Sequence, residues 1–287
     1  MSARQALHRG PNRSEGIAKT VPNSRSQRKG DARDNSLFVN SIEKAVMVLN
    51  AFSRERPLLT LATIAKLTGL DKSAAQRFLY TLHQLGLLRK YEDTKQYSLS
   101  PRLLEFAYAY TYSDGLIERA QPFLVEAHEK AGETVNLSVL EGTDVLLVSR
   151  IPGQHVVTTN IQVGFRMPAL YSAAGRAIVA RLPAKERDHI IRATKYLKYT
   201  NEAVTNPNEM RKLIEKAAKE GYVLSQSQFF QGDISVGAAI IDGSNAVLGA
   251  LCLSATQSQM TVPEAREKLV PATITAARKI SLAMGAY

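Results

Sequence analysis

The chain of 287 residues has one cysteine, no tryptophan and no apolar run long enough to cross a bilayer. A lone thiol, Cys252, cannot close an internal disulfide, which fits a reducing, cytoplasmic setting. A transmembrane helix needs about 18 or more consecutive apolar residues, so no membrane partner is expected. Residues 1–36 lack the apolar segment of a secretory signal. Catalytic signatures are missing as well. His8, His83, His128, His155 and His189 follow no metal-ligand spacing, and Gly132 stands where an H-E-x-x-H begun at His128 requires its second histidine. There is no Walker loop, no G-x-S-x-G elbow and no G-x-G-x-x-G. Ser41-Ile-Glu-Lys44 matches S-x-x-K, but its companion motifs S-D-N and K-T-G are absent. Cys252, between Leu251 and Leu253, reads as a buried, unreactive thiol. The expectation is a protein with no catalytic residue, metal or cofactor.

What is present is positive charge, unevenly spread. Lys and Arg number 37 against 26 Asp and Glu, a net charge of +11. Residues 1–36 carry eight basic and three acidic side chains, residues 37–100 nine and five, and residues 101–287 twenty and eighteen. The excess is N-terminal, as in a polyanion-binding head on a nearly neutral body. Residues 1–36, rich in Pro, Asn, Ser, Gly and Arg, read as a disordered basic tail.

Order is expected from Leu37. Ile42, Ala45, Val46, Leu49 and Phe52 recur at helical spacing in a helix that ends before Pro57. Thr60 is placed to cap a short helix with Leu61, Ile64, Ala65 and Leu67 inward, which Gly69 stops. Asp71 caps the next helix, with Ala75, Phe78, Leu79, Leu82 and Leu85 toward the core. The other side of that helix carries Lys72, Ser73, Gln76, Arg77 and Tyr80. Helix, short glycine turn and helix form a helix-turn-helix, whose second helix is the reader of a DNA groove. After Gly86 comes a hairpin over residues 87–99, a wing on which Arg89, Lys90 and Lys95 suit phosphate or minor-groove contact.

These stretches, SIEKAVMVLNAF, LATIAKLTGLDKSAAQRFLYTLHQLGLL and YSLSPRLLEFAYAY, resemble the winged helix-turn-helix and linker of the IclR (isocitrate lyase regulator) family of bacterial transcription factors. The resemblance continues through VGFRMPALYSAAGRAIVA and GYVLSQSQFFQGDISVGAAI and covers about residues 38–285. The fold it implies is α/β (α+β): a winged helix-turn-helix at 37–100, a linker helix at 101–114 and a GAF-like effector-binding domain at 115–287. The residue patterns agree. An apolar helix carrying Leu103, Leu104, Phe106, Ala107 and Tyr110 has to pack on something, most simply its copy in a second subunit. A second helix covers 116–131. Strands are expected at 135–140, 145–151, 156–163, 222–226, 234–241 and 246–254, and helices at 172–182, 184–195, 208–220 and 263–284.

The resemblance also implies a small organic effector, commonly a carboxylate, held between loops and strands of the larger domain. Carried over motif by motif, Ala173 and Ala174 bring backbone N–H groups to the ligand, as at an anion-binding helix start. Ser225 and Ser235 supply hydrogen bonds, and Val156, Thr159 and Met167 shape the apolar wall. The family usually has acidic residues where Ser225 and Gln228 stand; losing both lowers the negative charge expected near the pocket and favours an anion. Arg150 and Arg166 are the nearest cations in sequence for a carboxylate clamp. Tyr171, Phe229 and Phe230 can stack on an aromatic ligand or serve the core. DVLLVSRIPG followed by VGFRMP is closest to the family branch that responds to hydroxybenzoate-like acids.

The reading is a ligand-responsive regulator, a homodimer or dimer of dimers, on double-stranded operator DNA with an inverted-repeat-like site. Two alternatives stay open: a metabolite-sensing assembly protein whose basic head is not used on DNA, and an enzyme with an appended winged helix.

Overall fold

The computed structural model describes residues 36–154 and 161–286. They form two compact units, Val39–Ser100 and the chain from Pro101 onward, and each is taken by itself.

The smaller unit begins with α1 (Asn40–Leu49). Strand β1 (Leu59–Thr60) leads into α2 (Leu61–Thr68), where the Thr60 hydroxyl accepts from Thr63 N and Gly69 ends the helix at φ +70°. A side chain is strained at that φ and glycine is not. Helix α3 (Lys72–Gln84) follows, with the Asp71 carboxylate accepting from Ala74 N at 2.8 Å. Strands β2 (Leu88–Tyr91) and β3 (Gln96–Leu99) form the hairpin, and β1 adds to it in the order β1-β3-β2. The core gathers Val48, Ala51, Phe52, Leu59, Ile64, Leu79, Leu82 and Leu88.

Four apolar residues assigned inward from the sequence are instead exposed: Ile42, Val46, Leu67 and Leu85. In α1 the buried residue is Val48, so the helix is rotated from the expected face. Leu85 follows the last turn of α3, and after Gly86 the chain delivers Leu88 to the core in its place.

The larger unit opens with α4 (Leu103–Ser113) and α5 (Gly115–Ala131), the latter capped by Asp114, whose carboxylate accepts from Leu116 N and Ile117 N. No residue of α4 is buried within its unit. Then come β4 (Thr134–Glu141), β5 (Asp144–Ile151) and β6 (Arg166–Pro168). Helices α6 (Ala173–Arg181), α7 (Ala184–Ala193) and α8 (Pro207–Glu220) precede β7 (Val223–Gln226), β8 (Asp233–Ile241) and β9 (Val247–Thr256). Helix α9 (Val262–Ala283) closes the unit behind a capping box of Thr261 and Glu264. Of the strand expected at 156–163, residues 156–160 lie outside the described residues and residues 161–163 are not in a strand; the strand nearby is β6, paired with β5.

All six strands form one antiparallel sheet, β6-β5-β4-β9-β8-β7. Side chains alternate between its faces with period two. One set, including Val135, Leu137, Ile234, Val236, Leu251 and Leu253, packs against α5 and α9. The opposite face meets α6, with α7 and α8 outside it. On that face the strands present small and polar residues, among them Asn136, Ser138, Ser235, Cys252 and Ser254. Gly237 lets α6 approach, because a Cβ there would lie 2.6 Å from the Ala173 carbonyl carbon and 2.8 Å from Ala174 N. Helix start and sheet thus meet backbone to backbone, and polar space opens beside the contact.

Candidate functional site

On the smaller unit, α3 exposes Lys72, Ser73, Gln76, Arg77 and Tyr80 on one side and buries Ala75, Leu79 and Leu82 on the other. The polar face required of a reading helix is therefore free of its own core. On the wing Arg89 is exposed. Lys90 and Lys95 both reach Glu92, at 2.7 and 3.1 Å, and the two ammonium groups hold its carboxyl below the usual range. Such surface pairs are weak and exchange readily for a phosphate. Glu92 lies between two of the three wing cations, which the hairpin pattern alone did not reveal.

On the larger unit a cavity of about 70 Å³, the space open to the centre of a water-sized sphere, lies between the start of α6 and the sheet. One water needs about 10–15 Å³ by that measure, so the cavity suits a small organic molecule. Six of the ten residues expected at the effector line it: Arg150, Met167, Tyr171, Ala173, Ala174 and Ser235. Val156 and Thr159 lie outside the described residues.

Two others do not line the cavity. Arg166 on β6 donates to the Glu141 carbonyl at 3.1 Å and pairs with the buried Asp144 carboxylate at 3.6 Å, so its charge is already engaged. Ser225 is beside Ser235 in register, but its hydroxyl accepts from Arg176, a guanidinium buried inside α6. Burial pulls that guanidinium down to about 10, and its Nε has no hydrogen-bond partner among the described residues. Gln228, where the resembled family carries Glu, ties a loop instead, donating to Glu202 O and accepting from Val204 N.

The charge expected at the pocket also needs correction. Among the described residues, the lining includes two carboxylates, Glu133 and Asp233, and one guanidinium, Arg150. A chain of hydrogen bonds crosses the cavity floor strand by strand. Arg150 Nη1 donates to Asn136 Oδ1 at 2.8 Å, and Asn136 Nδ2 makes a long contact of 3.5 Å to Ser254 Oγ. Ser254 Oγ and Ser235 Oγ are 2.9 Å apart, and Ser235 Oγ donates to Asp233 Oδ2 at 2.7 Å. Because the Ser235 proton goes to Asp233, Ser254 donates to Ser235, and every link runs from Arg150 toward Asp233. Burial raises the Asp233 carboxyl from 3.8 to about 6, opposed by the Ser235 hydrogen bond and the Arg150 charge. The Cys252 thiol is pushed up to about 12 by burial, so it stays protonated at neutral pH.

Aromatic rings wall the other side. Phe229 and Phe230 pack edge to face at 4.8 Å, and Tyr199 joins Phe229 and Tyr171, each at 4.7 Å. Burial also raises the Tyr171 hydroxyl to about 12. Thr134, Asn136, Ser254 and Thr256 were missed from sequence, although their signal is plain: polar residues alternate with large apolar ones along β4 and β9.

The sequence profile described as the bacterial transcriptional regulator IclR C-terminal domain matches residues 108–282, and that of the IclR helix-turn-helix domain matches residues 41–92. The chain belongs to the IclR family. Like other IclR-family regulators it joins a helix-turn-helix to an effector-binding domain. Among its relatives is the Pca regulon regulatory protein of Pseudomonas putida, 29% identical over 245 residues, spanning 85% of this chain and 83% of that protein. A crystal structure of a transcriptional regulator from Rhodococcus sp. RHA1 superposes with a TM-score of 0.75 at 28% identity, covering 86% of this chain and 98% of that one. An IclR homologue from Microbacterium hydrocarbonoxydans, crystallised with 4-hydroxybenzoate, superposes at 0.72 with 23% identity over 85% and 98% of the two chains. Among the described residues no helix is long and apolar enough to cross a membrane.

Proposed function

We propose that this IclR-family regulator binds operator DNA through α3 and the wing, and that its output is controlled by an aromatic carboxylic acid held in the cavity beside α6. The observation that carries the effector reading is the cavity itself, with the rings of Tyr171, Phe229 and Phe230 on its wall, Arg150 as its cation and the N–H groups of a helix start at its edge. Rings accept a planar apolar body, and the guanidinium and helix start favour an anionic end. The names of the Pseudomonas relative and of the 4-hydroxybenzoate complex lend the same direction. A thermal-shift screen tests it. Aromatic monocarboxylates should raise Tm in a concentration-dependent way, and a panel without effect rejects the aromatic acid.

On DNA, Lys72, Ser73, Gln76, Arg77 and Tyr80 take base edges or adjacent phosphates, and Arg89, Lys90 and Lys95 the backbone. Arg77→Ala should weaken operator binding while leaving effector affinity unchanged. The wild-type affinity should fall steeply with salt while retaining preference for one operator; flat salt dependence would return the head to protein assembly. We assign the oligomer to α4, whose exposed Leu104, Tyr108 and Tyr112, at four-residue spacing, form an apolar stripe that a second copy would cover. Two heads so joined suit an inverted-repeat operator with half-sites about one helical turn, or a multiple, apart.

A further inference from the structure

An anionic effector in this cavity meets an electrostatic difficulty. With Asp233 ionised, its carboxylate already answers the charge of Arg150, to which it is linked through Asn136, Ser254 and Ser235. Adding a further buried anion is costly unless something compensates. The other titratable and charged groups that line the cavity limit the candidates. Arg150 on β5 already carries its charge, and the thiol of Cys252 on β9 and the hydroxyl of Tyr171 ahead of α6 are both pushed up to about 12 and are neutral. Glu133, at the foot of β4, also lines the cavity.

Asp233 differs from these. It sits at the receiving end of the hydrogen-bond chain, where its Oδ2 accepts from the Ser235 hydroxyl. A proton taken up by Asp233 therefore resides on Oδ1, from which it can be donated.

We propose that Asp233 contacts the effector as a carboxylic acid, donating its Oδ1 proton to the effector's carboxylate, so that the cavity takes up a monoanionic acid together with one proton. Asp233 is then a specificity-determining residue. It admits one carboxylate by surrendering its own charge, and it disfavours a dianion, because Cys252 and Tyr171 are already neutral and cannot offset a second charge by taking up a proton. The carboxyl's elevation to about 6 places this uptake within an ordinary cellular pH range.

The proposal rests on the effector reading above, and calorimetry separates the two. Benzoate, 4-hydroxybenzoate and 3,4-dihydroxybenzoate are titrated into the full chain between pH 5.5 and 8.5, in buffers of different ionisation enthalpy. The expected result is an affinity that falls about tenfold per pH unit above the carboxyl's folded value, with about one proton taken up per bound acid at the high end. Asp233→Asn, which keeps a donor but cannot ionise, should flatten the profile and hold the low-pH affinity at pH 8.5. Glu133→Gln should keep the wild-type slope. An acid that binds with equal affinity across the range and without proton uptake overturns the role of Asp233 and leaves the effector reading standing. Binding of none of the three at any pH removes the aromatic-acid reading, and the role of Asp233 with it. Proton uptake by the wild-type chain is decisive even if the asparagine variant does not fold.

Discussion

Arg176 is a buried cation whose partner is a hydroxyl. The stretch Ala173–Ala174 resembles an anion-binding helix start, yet the nearby Arg176 guanidinium is buried inside α6 and donates to the Ser225 hydroxyl. Ser225→Ala should therefore cost about 1–3 kcal/mol, measured as a lower urea midpoint, because a buried charged donor loses its partner. An unchanged midpoint would mean that water replaces the hydroxyl. Asp233 carries a pH signature of its own. Its carboxyl titrates near 6 in the folded chain but near 3.8 when unfolded, so between those values the folded state holds more of this proton. The associated stability is fully present below roughly pH 4, is lost as pH rises through the folded value, and amounts to on the order of 3 kcal/mol. Asp233→Asn should gain on the wild type by up to that amount between about pH 4 and pH 7, and a constant difference in urea midpoint would contradict the shift. Neither residue was legible as a pair or a titrating group, since both effects depend on partners brought close by strand register and helix packing.

Elements were more legible than residues, and for local reasons. Thr60 and Asp71 cap helices as their residue types suggest, and Gly69 ends α2 in the left-handed conformation. Nothing lies within 4 Å of a Cβ built at Gly69, so Gly69→Ala is a clean test of backbone strain. It should cost about 1–2 kcal/mol in the unfolding of the head, with effector binding untouched. Gly237→Ala makes the opposite test, because its Cβ would strike the start of α6. Effector affinity should fall with little change in operator affinity, and an unaltered effector affinity would exclude the helix start from the site. What sequence periodicity could not settle was which part of a broad apolar face a core would take. Ile42, Val46, Leu67 and Leu85 fit a helical stripe and still lie outside. Strand β1, of two residues, is too short for any pattern to announce.

For the whole molecule, the division into a basic head and a nearly neutral sensor was visible in charge counts alone, and the family motifs supplied the sensor's architecture. The gathering of Glu133 and Asp233 at one cavity was not, because they lie 100 residues apart and meet only once the sheet has formed. If effector and operator act on one equilibrium, each changes the other's affinity by the same factor. Effector titrations with and without operator should differ, and equal values would remove direct coupling. The sheet carries a further consequence. Its central pairing joins β4 to β9, from Thr134 with Ser254 to Ser138 with Ala250, well over a hundred residues apart. The head closes through short-range contacts, whereas β4 waits on the ribosome for its partner for an interval on the order of ten seconds. During each round of synthesis the DNA-reading unit is thus able to fold before the effector cavity has a floor.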